Sequence, residues 1–173
     1  MMINMQDQHF EMPSEHHLPK VDRRAVQEAC MNEQSTMPDD INDFYQDHPE
    51  LESAILGGFS GLPDEDLAQL FQGVGLAAVL INNSQDRTGG IIPAEISADA
   101  IDAAIKSIQE ESGNASAVKK QLFDEDPELY FGATLLADLL KCRPAVIIQG
   151  AHLMRGIYKH IIEGSNLKSK IQF

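Results

Sequence analysis

Gly73-Val74-Gly75-Leu76-Ala77-Ala78 has the G-x-G-x-x-A spacing of a dinucleotide-binding loop. That chemistry needs the glycines between a strand and a helix, where close backbone and a helix N-terminus meet the pyrophosphate. The residues before it, Asp64 to Phe71, are acidic and helical in pattern, and their charge repels a pyrophosphate. The glycines therefore predict close packing of one helix on another across Gly73 and Ala77, or a bend there, at about 1 kcal/mol of helix propensity per glycine. Gly58-Phe59-Ser60-Gly61-Leu62 falls short of a nucleophile elbow, because Leu62 stands where the second glycine must be.

Cys142 sits beside Arg143 just before a helix, a setting that can lower a thiol's pKa, and His152 or His160 would be its base. Nothing in the spacing ties these residues together, so an inert cysteine is expected. His9, Glu11, Glu15, His16 and His17 offer metal-ligand side chains, but in a stretch broken by Pro13 and Pro19, with no thiolates and no zinc-site spacing. Asp124-Glu125-Asp126-Pro127-Glu128 lacks the glycine and ligand rhythm of a calcium loop and marks a helix start. Segments 127–141 and 145–163 would offer Arg155 and Lys159 to DNA as a helix-turn-helix. Pro144 replaces the usual glycine of that turn, and the first helix is too apolar to lie along a phosphate backbone. No catalytic residue, cofactor or metal site is expected.

One segment carries a positive signal. In Pro38-Asp39-Asp40-Ile41-Asn42-Asp43-Phe44-Tyr45-Gln46-Asp47 the apolar Ile41, Phe44 and Tyr45 stand at i, i+3 and i+4, flanked by Asp39, Asp40, Asp43 and Asp47. A short helix presents anchors in this way to a groove with a basic rim. The same spacing also suits a helix that packs back on its own bundle.

The elements that must position these residues are helices. Pro49-Glu50-Leu51, Pro63-Asp64-Glu65-Asp66 and Asp126-Pro127-Glu128 each put proline and acids in a first turn, where they suit the helix dipole. Ser97 predicts an N-cap, with Ile96 stapled onto Ile101. Leu67, Leu70, Phe71, Val74, Ala78 and Ile81 form a core-facing stripe, and residues 82–92 are expected to form a loop. Pro127 to Lys141 is apolar on most of its circumference, which places it at the centre of the bundle. Ala145 to Glu163 is expected to bury Ile147, Ala151, Met154, Tyr158 and Ile161, to display Gln149, His152, Arg155, Lys159 and Glu163, and to stop at Gly164. Gly90 to Ile96 is the one stretch with any strand character. Residues 1–46 hold six of the seven methionines and no glycine, with no sustained apolar period. The expected architecture is all-α: a five- or six-helix bundle over residues 47–164, behind a long, mostly irregular N-terminal arm (1–46) with short helical pieces at Pro19–Met31 and Pro38–Gln46, and a tail over 165–173.

With 43% hydrophobic and 23% charged residues the chain can form a core without staples. Cys30 and Cys142 lie far apart with no CxxC, which predicts reduced thiols and a cytoplasmic protein. The first residues show no basic and apolar signal pattern, and the most apolar stretch, Ala145 to Ile162, is interrupted by Gln149, His152, Arg155, Lys159 and His160. The net charge is −14, with 26 acids and 7 bases over residues 1–140, then 6 bases and one acid, Glu163, over residues 141–173. An acidic body is repelled by nucleic acid and anionic lipid and is drawn to basic partners.

These features predict a non-catalytic, acidic, helical protein-interaction module: an adaptor, assembly chaperone or structural subunit of a larger complex. It would dock through its arm, by Ile41, Phe44 and Tyr45 with Asp39, Asp40 and Asp43, onto a protein that is basic or has an apolar groove. A homo-oligomer also fits; nucleic acid and membrane do not. The alternative is an acidic inhibitor, immunity protein or nucleic-acid mimic that covers a basic surface.

Overall fold

Capping side chains set the helix starts. The Asp22 carboxylate accepts the Ala25 amide at 2.9 Å, Ser97 Oγ accepts that of Ala100 at 3.2 Å, and Asp126 Oδ1 accepts that of Leu129 at 3.3 Å, while Pro49 and Pro127 occupy first-turn positions. The computed structural model describes residues 18, 20–31, 37–88, 96–111 and 115–171. Among them are eight helices and no strand: α1 (Arg23–Met31), α2 (Met37–Asp47), α3 (Pro49–Gly58), α4 (Asp64–Thr88), α5 (Ala98–Glu111), α6 (Ala115–Glu125), α7 (Pro127–Leu139) and α8 (Pro144–Ile171).

The centre is the pair α4 and α8, which contact each other more extensively than any other two helices. Gly73 and Gly150 make this possible. A Cβ on Gly73 would run into the Ile147 carbonyl oxygen and come within 3.1 Å of Gly150 Cα, and a Cβ on Gly150 would lie 2.6 Å from the Leu70 carbonyl oxygen. Gly73 of the dinucleotide-like motif and Gly150 thus bring two backbones together. Leu70, Val74, Ala77 and Ile81 of α4 and Ile147, Ala151, Met154 and Ile157 of α8 are buried in the core.

The helix count exceeds the expected five or six because the described part of residues 1–46 is not an arm lying off the core. Val21, Ala25, Val26, Met37 and Ile41 are core residues, α1 packs on α7 and α4, and α2 packs on α4. Val26 lies against Gly132, and Ile41 fills the space that a side chain on Gly75 would need. An apolar stripe this thin gives little periodic signal, and its partners lie far away in sequence.

Three further expectations are corrected. Residues 82–88 continue α4, because Asn82 Nδ2 donates to the Ala78 carbonyl at 2.7 Å and Ser84 Oγ to that of Leu80 at 2.7 Å, so these polar side chains bond to the helix they were expected to break. α8 runs through Gly164 to Ile171, replacing most of the tail; an internal glycine costs a helix only about 1 kcal/mol. α7 lies at the periphery. It buries Leu129, Gly132, Ala133, Leu136 and Ala137 but exposes Phe131, Leu135 and Leu139. Its apolar circumference is wider than its neighbours cover. α7 ends at Leu139, before a turn with Lys141 at φ 57°, and Pro144 is the first residue of α8. The strand-like stretch and its turn lie outside the described residues, except for Ile96.

Candidate interaction surfaces

The six docking residues expected in α2 separate into two groups. Ile41 is 4% exposed and seated against α4. The Tyr45 hydroxyl donates to the Phe71 carbonyl oxygen at 2.7 Å, and its ring meets that of Phe71 edge-on at 5.5 Å. Burial, and then the Glu52 carboxylate, push the Tyr45 phenol well above its ordinary pKa, so it stays a neutral donor. Phe44 is half-buried, 5.5 Å from the Tyr45 ring and 4.9 Å from the His48 ring. Asp39 and Asp43 are exposed and Asp40 is half-buried. The helix thus packs on its own bundle, with Ile41 and Tyr45 used inward.

Asp39, Ile41 and Tyr45 nevertheless come together in one wall of a cleft of about 610 Å³, closed by Pro49 and Glu52 of α3 and by Ala68, Phe71 and Gln72 of α4. Asp40, Asp43 and Phe44 do not line it. Gln72 Oε1 is buried there with no hydrogen-bond partner.

A second cavity, of about 260 Å³, lies among α5, α6 and α8 and includes Gln121, Glu125, His152, Arg155, Lys159 and His160. It revises the expected basic stripe: His152 and Arg155 are only 9% exposed, and the Arg155 guanidinium pairs with Glu125, which also accepts from Gln121 Nε2 at 3.0 Å. Burial pushes the Glu125 carboxyl up, but the Gln121 hydrogen bond and the charges of Arg155, Lys159 and His152 outweigh it, leaving the group below its ordinary value. Arg155 is an internal counter-ion in this position, not a base reader.

The third surface is apolar. Phe131 (49% exposed), Leu135 (59%) and Leu139 (43%) stand one turn apart on α7, and Phe123 of α6 (44%) joins them through an edge-on contact with Phe131 at 5.8 Å. Tyr130 packs edge-on against both phenylalanines, at 5.5 and 5.6 Å. Only one other large apolar side chain among the described residues is as exposed, Leu56 on α3. Sequence reasoning missed this face. The all-round apolarity of residues 127–141 is its signal in the sequence, and the same apolarity fits a helix buried at the centre.

The remaining chemical motifs find no supporting geometry. Gly73 and Gly75 face Ile147, Gly150 and Ile41, which fill the space a pyrophosphate would need. Burial pushes the Cys142 thiol up, opposite to an activated nucleophile, and its Sγ lies 3.3 Å from the Leu140 carbonyl oxygen as a donor. His9, Glu11, Glu15, His16 and His17 lie outside the described residues. Among those described, no three His, Cys, Asp or Glu side chains are placed to hold a metal, and no helix is long and apolar enough to cross a membrane. No family model matches the chain, and no curated protein or solved structure does.

Proposed function

We propose that the protein is a non-catalytic interaction module that docks a partner protein through the α6–α7 face, in place of the arm. The observation that carries this is the contiguity of Phe123, Phe131, Leu135 and Leu139 on a protein of net charge −14. Single exposed apolar residues are ordinary on a soluble surface, whereas a joined group of large ones marks a contact site. Aromatic side chains are also the usual anchors of interfaces.

Charge selects the occupant. Asp124 and Asp138 border the face along α6 and α7, with Lys119 and Lys120 a turn before Phe123. A second copy would bring two bodies of −14 together. An amphipathic segment of another protein, apolar on one side and carrying Lys or Arg beside it, meets both the face and the acidic body that carries it.

A photo-activatable amino acid at position 135 tests this in extract of the native host, with the same group at Asp102, exposed on α5, as control. We expect a discrete adduct from position 135 whose cross-linked peptide is apolar and basic, and its loss when Phe131→Ser is added. An adduct made only of two copies of this chain, or none beyond the control, contradicts the proposal.

A further inference from the structure

The stretch between Arg24 and Arg87 contains no lysine or arginine and twelve aspartates and glutamates. It supplies all of α2 and α3 and most of α4, so the cleft among those helices is built entirely from a part of the chain with no cationic side chain except His48. Help from elsewhere is limited: among the described ion pairs, Arg24 reaches into this stretch at Glu28 and Arg143 at Asp66, neither of which lines the cleft. His48 lies 3.6 Å from Glu50, not from the cleft carboxylates.

The walls of the cleft are of a matching kind. Asp39 on α2 and Glu52 on α3 supply carboxylates, and both are exposed, hence accessible to a ligand. Tyr45 and Phe71 supply aromatic rings fixed edge-on to each other. Gln72 supplies a carbonyl oxygen without a donor, a condition that costs free energy until a donor arrives. Carboxylates, an orphan acceptor and ring faces together favour a planar cation with several N–H donors. The volume, about 610 Å³, is in the range of sites that enclose small ligands.

We infer that the α2–α3–α4 cleft is a binding site for the guanidinium of an arginine side chain, presented by a short basic segment of a protein. Arginine is favoured over lysine because its rigid fork of five donors can engage carboxylates on two walls while stacking on an aromatic ring, which a compact ammonium does not do. The site is distinct from the α6–α7 face, and its test does not depend on that face.

The test uses the full chain, titrated with a short glycine–arginine peptide and followed by NMR chemical shifts, with counterparts in which citrulline or lysine replaces arginine. Citrulline keeps the shape and loses the charge. We expect saturable shifts centred on Asp39, Tyr45, Glu52, Phe71 and Gln72, at least tenfold weaker binding of the citrulline peptide, and severalfold weaker binding of the lysine peptide. Asp39→Asn with Glu52→Gln should weaken the arginine peptide about tenfold and leave the melting temperature unchanged, since both side chains are exposed. Asp99→Asn with Asp102→Asn, exposed on α5, should leave both the binding and the melting temperature unchanged. Equal binding of the citrulline or lysine peptide, shifts spread over the acidic surface, or equal weakening by the two pairs of substitutions overturns the assignment.

Discussion

The backbone amide of Val21 donates a hydrogen bond to Asp126 Oδ2 at 3.1 Å, joining residues 105 positions apart. The same carboxylate, 1% exposed, caps α7 through the Leu129 amide and stands 3.9 Å from Arg155 Nε, which is buried without a hydrogen bond of its own. One side chain thus holds the N-terminal segment, the start of α7 and the charged side of α8. Asp126→Ala should cost on the order of 3 kcal/mol: a lost cap, the buried Val21 amide left without a partner, and one carboxylate fewer beside the buried Arg155. Asp126→Asn, which keeps acceptor oxygen, should cost less. Urea midpoints at neutral pH measure both.

Deleting residues 1–46 should abolish cooperative melting. The deletion strips Val21, Val26, Met37 and Ile41 from the core, a loss of about 6–12 kcal/mol of burial at ~1.5–3 kcal/mol per side chain, against a typical total stability of ~5–15 kcal/mol. Circular dichroism of the truncated chain decides it; a sharp transition near that of the full chain would show that residues 47–173 fold without α1 and α2.

Gly73→Ala should destabilise by about 2 kcal/mol despite the better helix propensity of alanine, because the new methyl meets backbone of α8, which cannot rotate away. Gly57→Ala, with open space around it, should be neutral or stabilising by up to ~1 kcal/mol. Thermal melts of the pair separate the close approach of two helices from a general effect of removing glycine.

The carboxylates of Glu125 and Asp126 respond to pH in opposite directions. Glu125 lies below its ordinary value of 4.5, so the folded protein binds that proton more weakly than the unfolded chain; its contribution is full above 4.5 and is lost as pH falls. Asp126 lies above its ordinary 3.8, since burial outweighs the amides of Val21 and Leu129 and the charges of Arg155 and Lys20, so stability from this group is present in acid and lost as pH rises through the raised value. Glu125→Gln should therefore be less stable than wild type at neutral pH, with the gap closing as pH falls below 4.5 and through the lowered folded-state value. Urea unfolding across the acid range checks it; a gap independent of pH would mean that Glu125 acts by shape alone.

What could be read from the sequence was local. Ser97, Asp126, Pro49 and Pro127 announce helix starts because a cap bonds to amides two or three residues away, and Gly73 with Ala77 announces close packing because both fall on one helical face. What could not be read depends on distant partners. Ile41 and Tyr45 have the spacing of anchors for a foreign groove, and the identical spacing serves a helix lying on α4; only the fold shows that they line a cleft. Arg155 belongs to Glu125, thirty positions away, which no helical wheel of α8 discloses. The wholly apolar α7 could equally be central or peripheral, and the small residues Gly132, Ala133 and Ala137 turned inward leave the large ones outside.

The most direct test of docking through the α6–α7 face is the double variant Phe131→Ser with Leu135→Ser, measured for melting temperature and for cross-linking from Phe123 in native extract. Both replaced side chains are about half exposed and should contribute little to folding. We expect a melting temperature within about 3 °C of wild type, as small changes in stability give in a chain of this length, and loss of the adduct. A melting temperature lowered by ten degrees or so with the adduct retained would show that the face supports the fold and that the partner binds elsewhere.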